Sequence, residues 1–232
     1  PLGAEVNGAR RWLNLGLFAL QPMEFAKLVL VIYLAWFFGK KQELVSSFSV
    51  GVVPPFAVTG ALCLLVLLQP DFGGAAVLAS LLFLMCLVGG TRFLYLLLSL
   101  GLMVGAGWLL IVNSPYRSRR LLAFLDPFKD ALDTGYQLVQ SLYALGSGGL
   151  TGVGLGAGKQ KLFFLPEAHT DFIMAVIGEE LGFLGVSLIF ALMGVLIWRG
   201  FRVALQQEEL CRRFMAYGVV LILGMGALLN MA

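Results

Sequence analysis

Glu167, His169 and Asp171 occupy alternate positions within five residues, directly ahead of an apolar run that begins at Phe172. A carboxylate at such a membrane–water boundary has two chemistries open to it. It accepts a proton from an attacking hydroxyl, or it holds a divalent cation such as Mg2+ or Mn2+. A structural role stands beside them, because an Asp at a helix N-terminus caps the helix and is favoured by its dipole. Two arginine pairs, Arg10–Arg11 and Arg119–Arg120, offer planar guanidinium groups that bind phosphate or carboxylate bidentately; anionic headgroup contact is the plainer alternative. Lys27 and Glu24 follow Gln21–Pro22 at the start of another apolar run, where a Lys either snorkels to the interface or serves a site. Glu179 and Glu180 lie about two turns into the run after Asp171. Ionised there, they need a partner or a polar cavity, and Lys27 is one candidate. Asp71, within Gln69-Pro70-Asp71-Phe72-Gly73, closes a tight turn between two apolar runs and reads as a helix cap.

The elements that must hold these groups are oily. Hydrophobic residues make up 59% of the chain and charged ones 12%, about half the charge of a soluble domain. Six runs, at about 22–38, 50–69, 74–90, 93–112, 172–198 and 214–232, are long enough or nearly so to cross a bilayer. In hydrocarbon each must be helical, because unpaired backbone groups there cost several kcal/mol. The expected fold is therefore all-α, a polytopic membrane helix bundle read as a single domain over 1–232. Gly51, Gly60, Gly101, Gly105 and Gly107 suit close helix packing in lipid.

Alternation of the spans puts 1–21, 70–73 and 113–171 on one side and 39–49, 91–92 and 199–213 on the other. The second set carries Lys40, Lys41, Arg92, Arg199, Arg202, Arg212 and Arg213 in short loops. Charge in short loops sets orientation, so the 113–171 loop is expected to face outward. This 59-residue stretch holds most of the polar chemistry. Within it, Leu138, Leu142 and Leu145 have helical spacing, which places a helix over 136–145 on the membrane surface or folded back into the bundle. Residues 146–161 (GSGGLTGVGLGAGKQK) resemble a phosphate loop only superficially: Val153 stands where the first Gly is required, and Gln160 follows Lys159. They read as a flexible glycine hinge.

Other function classes find little support. A net charge of +3 with scattered basic residues does not suit nucleic acid. Cys63, Cys86 and Cys211 lack the spacing of a zinc site or disulfide framework. A chain that starts at Pro1 and stops inside an apolar run is expected to be a piece of a longer protein. The residues alone reach an outward-facing site of arginines, a lysine and a carboxylate, suited to a phosphorylated, lipid-anchored substrate.

Several strings together resemble one family: NGARRWLNLG (7–16), QPMEFAKL (21–28), QPDFG (69–73), PYRSRRLLAFLDP (115–127), GYQLVQSLYALGSGGLTGVGLG (135–156) and FLPEAHTDFIMAVIGEELG (164–182). They are similar, in order and from end to end, to the SEDS family of bacterial cell-wall proteins (FtsW, RodA and SpoVE). PYRSRR and GYQLVQS are closest to the FtsW branch. One departure falls at 130–137, where Asp130-Ala131-Leu132-Asp133-Thr134-Gly135-Tyr136-Gln137 replaces the usual D-P-x-G-x-G-Y-Q.

The resemblance implies a ten-helix protein with both ends in the cytoplasm, of which this chain would hold helices four to nine, lying in the bacterial inner membrane with an extracytoplasmic site. It implies polymerisation of lipid II into glycan strands, at the septum if FtsW-like, beside a class B penicillin-binding protein and other division proteins, and without an organic cofactor. Asp171 takes the place of the family's essential Asp, and Lys27 and Arg10–Trp12 match other functional positions. Glu24, Arg119, Arg120, His169 and Glu167 complete the expected substrate contacts. The expected chemistry is an inverting glycosyl transfer. The acceptor 4-hydroxyl attacks C1 of the donor muramyl sugar, Asp171 takes the proton, and arginines with Lys27 stabilise the departing undecaprenyl pyrophosphate. A lipid II flippase, an elongation-type RodA polymerase and a membrane scaffold are the rival expectations.

Overall fold

The computed structural model describes the backbone of residues 3–6, 9–14, 19–161 and 172–231, and the side chains of 20–161 and 172–230. Among the described residues, six helices are long and apolar enough to cross a membrane. By contact the chain divides into two compact units, residues 1–103 with 197–225, and 104–196 with 226–232.

The first unit opens with a small antiparallel sheet in the order β1 (Gly3–Val6), β2 (Ala9–Asn14), β3 (Ala19–Leu20). Ala4 pairs with Trp12 and Leu13 with Leu20. This sheet is an addition to the helical expectation. Its signal was present in Asn7–Gly8, a dipeptide typical of tight hairpins, lying between the two runs that become strands.

Helix α1 (Pro22–Lys41) starts with proline at its first position, where the missing N–H would have had no helical partner. Leu30, Leu34 and Phe38 recur every four residues and are fully buried, forming one inward stripe. A single-turn helix, α2 (Phe48–Gly51), leads into α3 (Val53–Leu68), which is followed by α4 (Phe72–Gly89). Leu78, Leu81, Met85 and Cys86 of α4 join the α1 stripe in one core. Two later helices, α8 (Ile173–Leu205) and α9 (Leu210–Met231), add Ala204, Phe214 and Tyr217 to it. Phe38, Phe214 and Tyr217 form an aromatic chain with centroid separations of 5.8 and 6.3 Å. At α4's end Gly90 adopts φ 86°, and Thr91 N–H donates back to the Cys86 carbonyl at 3.1 Å, which is a glycine C-cap. Away from the core, Leu28, Val29, Ile32 and Trp36 of α1 are about half exposed, an outward face fit for lipid rather than water.

The glycines that let helices approach in this unit are not all those expected. Gly51 does lie against the Val45 carbonyl, and Gly39, Gly89, Gly200 and Gly218 face Cys211, Phe38, Val220 and Val31 respectively. Among the described residues, Gly60 and Gly101, with Gly105 of the second unit, meet nothing within 4 Å of an added Cβ. They lie on outward faces, because the buried stripe of their helices falls on other positions.

The second unit takes the last turns of α5 (Phe93–Val112) and then most of the long polar stretch. That stretch is largely helical: α6 (Pro115–Leu125), a 3-10 turn over Pro127–Asp130, and α7 (Tyr136–Gly148). The sequence reading leaves 115–125 in the loop, although Ser114–Pro115 is a helix start. Arg117 Nη1 and Ser118 Oγ donate to the Leu110 and Ile111 carbonyls at 2.9 and 2.8 Å, so α6 caps the end of α5. The atypical 130–137 turn is closed by Thr134 Oγ1 on Asp130 Oδ2 at 2.7 Å and by Gly135 N–H on the Asp130 carbonyl at 3.0 Å. Ala144 of α7 packs with Ala175 and Val176 of α8.

Candidate functional site

A 33-residue helix such as α8 would be about 50 Å long, well beyond a hydrocarbon core of roughly 30 Å. It is not continuous. Gly182 adopts φ 66°, ψ −167°, which breaks the helix into 173–181 and 183–205. The second piece, roughly 34 Å long at 1.5 Å per residue, suffices to cross. The expectation of a single span over 172–198, with Glu179 and Glu180 two turns inside it, is therefore corrected: both glutamates end the short first piece.

An uninterrupted helix would pair Phe183 N–H with the Glu179 carbonyl and Leu184 N–H with that of Glu180. Gly182 removes both bonds, and the glycine-rich segment after α7 fills the gap. Val153 and Gly154 donate their N–H groups to the Glu179 and Glu180 carbonyls at 3.0 and 3.1 Å. Phe183 and Leu184 donate theirs to the Gly149 and Leu150 carbonyls at 2.9 and 3.1 Å. Two lost helical bonds become four bonds to a chain spliced into the break, which leaves these four backbone groups paired.

The side chains repeat the attachment. Glu179, only 4% exposed, accepts from the Lys159 and Gln160 N–H groups at 2.9 and 3.1 Å, one on each carboxylate oxygen. Glu180 accepts from Gly156 N–H at 3.0 Å and pairs its other oxygen with the Lys161 ammonium. Lys27 is thus not the partner of either glutamate. It pairs with Glu24 at 2.7 Å, one helical turn away on α1, with the Lys side chain 17% and the Glu side chain 59% exposed. The hinge reading of residues 146–161 is likewise corrected over its described length. An added Cβ on Gly152 would stand 2.0 Å from the Glu180 carbonyl, and one on Gly148 1.9 Å from that of Gly178. These glycines permit backbone-to-backbone contact, and Gly152 (φ 81°), Gly154 (φ 106°) and Gly156 (φ 80°) bend the chain through the left-handed region.

The other expected site residues are distributed as follows. Asp71 caps α4, its Oδ1 accepting from Gly74 N–H at 3.1 Å. Arg120 lies over the Tyr116 ring at 4.9 Å on α6, and Arg119 on the same helix is exposed. Arg10, Arg11 and Trp12 belong to β2, with side chains outside the described residues. Glu167, His169 and Asp171 lie outside them altogether. Among the described residues no three His, Cys, Asp or Glu side chains converge as a metal cluster. The splice at Gly182 is the feature that sequence reading missed. Its two halves were visible as GSGGLTGVGLGAGKQK and GEELG, but nothing in either string names the other as its partner.

Comparison with known proteins is consistent along the whole length. Residues 2–232 match the FTSW_RODA_SPOVE family model, described as "Cell cycle protein". A "Probable peptidoglycan glycosyltransferase FtsW" of Geobacter metallireducens is 45% identical over 230 residues, 99% of this chain and 61% of that protein. "Stage V sporulation protein E" of Bacillus subtilis is 41% identical, over 99% of this chain and 63% of that protein. The chain therefore spans about three-fifths of the length of these relatives. Among solved structures, a peptidoglycan synthase complex described as coordinating polymerization and crosslinking gives a TM-score of 0.71 at 32% identity, covering 99% of this chain and 64% of the other. The rod shape determining protein RodA of Thermus thermophilus gives 0.59 at 30% identity, covering 99% and 59%. Six apolar helices in a helical bundle and a match over residues 2–232 lead to one assignment: the chain belongs to the FtsW/RodA/SpoVE family of multi-pass membrane proteins.

Proposed function

We propose that the protein to which this chain belongs is a peptidoglycan glycosyltransferase that polymerises lipid II at the outer face of the bacterial cytoplasmic membrane, in septal wall synthesis. The observation that carries this reading is the end-to-end similarity, at 45% identity, to a relative named for that activity. The acceptor 4-hydroxyl attacks C1 of the donor muramyl sugar, the C1–O bond to pyrophosphate breaks, and undecaprenyl pyrophosphate leaves. Asp171 accepts the hydroxyl proton as the new bond forms. Positive charge for the leaving pyrophosphate comes from Arg10, Arg11, Arg119, Arg120 and Lys27, with Trp12, Glu24, Glu167 and His169 completing the substrate contacts. The partly shielded Lys27–Glu24 pair supports a place for Lys27 at an interface where a phosphate replaces water.

A class B penicillin-binding protein is the partner that fits, since the similar solved complex is described as joining polymerization to crosslinking. The flippase alternative is weakened. It draws on Lys27, Glu179 and Glu180 as charges along a path; Lys27 is paired with Glu24, and the Glu179 and Glu180 carboxylates are engaged by the glycine-rich segment.

The decisive test is polymerisation of purified lipid II by the full-length protein with its partner. Asp171→Ala is expected to reduce the rate at least a hundredfold, on the order seen for loss of a general base. An unchanged rate sinks the assignment, and transport of fluorescent lipid II without polymer supports the flippase instead. A Mg2+ or Mn2+ ion beside Asp171 is tested by chelation. A rate that falls with EDTA and returns with excess Mg2+ supports it, and a rate indifferent to EDTA removes it.

A further inference from the structure

The splice at Gly182 joins two segments that flank the Asp171 region in sequence. Residues 149–161 precede it and the short helical piece 173–181 follows it. Six attachments hold them to each other: the Val153 and Gly154 N–H bonds to the Glu179 and Glu180 carbonyls, three backbone N–H donors on the two glutamate side chains, and the Lys161–Glu180 ion pair. Two more, from Phe183 and Leu184 N–H to the Gly149 and Leu150 carbonyls, hold the same segment to the second piece of α8. The ten residues between Lys161 and Phe172, with Glu167, His169 and Asp171 among them, are thereby tethered at both ends to one small body. Fixing residues 149–161 against α8 removes the conformational entropy of that segment, so the chain enters and leaves the Asp171 region from fixed points.

The glutamates make this attachment strong and specific. Backbone bonds alone would tolerate a slip along the segment. Four of the attachments end on carboxylate oxygens, and charge-assisted bonds of this kind are roughly twice as strong as neutral ones. Each Glu179 oxygen takes the N–H of a different neighbouring residue, which sets the register of Lys159 and Gln160 against α8. Glu180 secures one point upstream at Gly156 and one downstream at Lys161.

We propose that Glu179 and Glu180 are positioning residues for glycosyl transfer, clamping the 149–161 segment into the break of α8 so that the stretch bearing Asp171 starts and ends at fixed points. They touch neither substrate nor reacting atoms. The inference rests on the glycosyltransferase reading, since it is that reaction whose geometry the clamp serves. A misplacement of about 1 Å at a reacting group costs on the order of a hundredfold in rate, so a loosened clamp should act on kcat rather than on lipid II binding.

The test uses the full-length protein with its partner and measures two things: amide hydrogen exchange over 149–161, and lipid II polymerisation as kcat and KM. In the unaltered protein the Val153, Gly154, Gly156, Lys159 and Gln160 amides should exchange on the order of a hundredfold more slowly than an open loop. Glu179→Gln replaces an acceptor by an NH2 group facing an N–H donor. It should speed exchange at Lys159 and Gln160 and lower kcat about tenfold with KM little changed. Lys161→Met, which leaves α8 intact and guards against simple misfolding, should give a smaller effect of the same kind. Lys161→Glu, which sets a second carboxylate against Glu180, should be worse than Lys161→Met, and Lys161→Arg, which keeps the cation, should retain most of kcat. Open-loop exchange in the unaltered protein overturns the proposal, as does faster loop exchange in the variants with an unchanged kcat. A kcat that falls as far in Lys161→Arg as in Lys161→Glu also overturns it. If the unaltered protein with its partner makes no polymer, the glycosyltransferase reading falls, and the positioning role falls with it. That outcome is separate from polymerisation that ignores the clamp.

Discussion

The two units of this chain are held together by different physics. The first is built from α1, α3, α4 and α9 around fully buried Leu30, Leu34, Phe38, Leu78, Leu81 and Met85, with an aromatic chain through Phe214 and Tyr217. Its apolar groups gain little from leaving lipid, so its order comes from close packing, which the contacts at Gly39, Gly89 and Gly218 make available. The second unit has a small buried apolar cluster, Ala144, Ala175 and Val176. Its order comes instead from directional polar bonds, in which the backbone of 149–154 and the carboxylates of Glu179 and Glu180 complete a broken helix. A packed core tolerates rearrangement of shape if volume is kept. A hydrogen-bonded splice tolerates almost none, because each donor has one acceptor at one place. In sequence this second kind of structure flanks Asp171, whose proposed role asks for geometry over bulk stability.

The largest effect should come from Phe38→Ala, which empties the centre of the first core and is expected to cost about 3–5 kcal/mol. It should lower the melting temperature in detergent while amide protection at Val153 and Gly154 stays as it was; loss of both together would mean that the units do not differ as described. Gly152→Ala should do the reverse. Its Cβ meets the Glu180 carbonyl at 2.0 Å and its φ of 81° disfavours any side chain, so roughly 2–4 kcal/mol of local strain should abolish protection over 149–161. An unchanged exchange pattern would contradict the splice. Asp71→Ala removes the α4 N-cap and should lower stability by about 1 kcal/mol, read as a small fall in melting temperature. Smallest of all, Gly101→Ala meets open space and should be neutral or stabilise by up to about 1 kcal/mol through helix propensity. A marked destabilisation there would place a neighbouring helix against that face in the full-length protein.

Membrane helices are legible from composition because lipid leaves the backbone one economical answer. The runs at 22–38, 74–90 and 93–112 match α1, α4 and α5 closely, since each is bounded by Pro, Gly or charged residues that stop a helix. The 113–171 stretch was harder to read. Its helix over 136–145 follows from Leu spacing, whereas α6 is short and amphipathic; outside that stretch, the β1–β2 hairpin has a local signal in Asn7–Gly8, and β3 has only two residues of its own. For the expected site, residue types alone pointed to Asp171, Lys27 and the arginine pairs, because charge at a membrane boundary stands out against oil. Partners did not stand out. Lys27 turned to Glu24 one turn away, and the glutamates turned to backbone amides 19 to 24 positions earlier in the chain.

Local patterns were thus enough for the membrane, the number of crossing helices and the family, because each depends on side-chain character summed along contiguous residues. The break at Gly182 and the seating of Glu179 and Glu180 in the glycine-rich segment belong to the folded chain alone. A glycine within an apolar helix carries no mark of whether it will bend, and a backbone N–H carries no sequence identity at all. Which donors meet which acceptors across the break depends on three-dimensional approach, and at Gly148 and Gly152 that approach is closer than any side chain would permit.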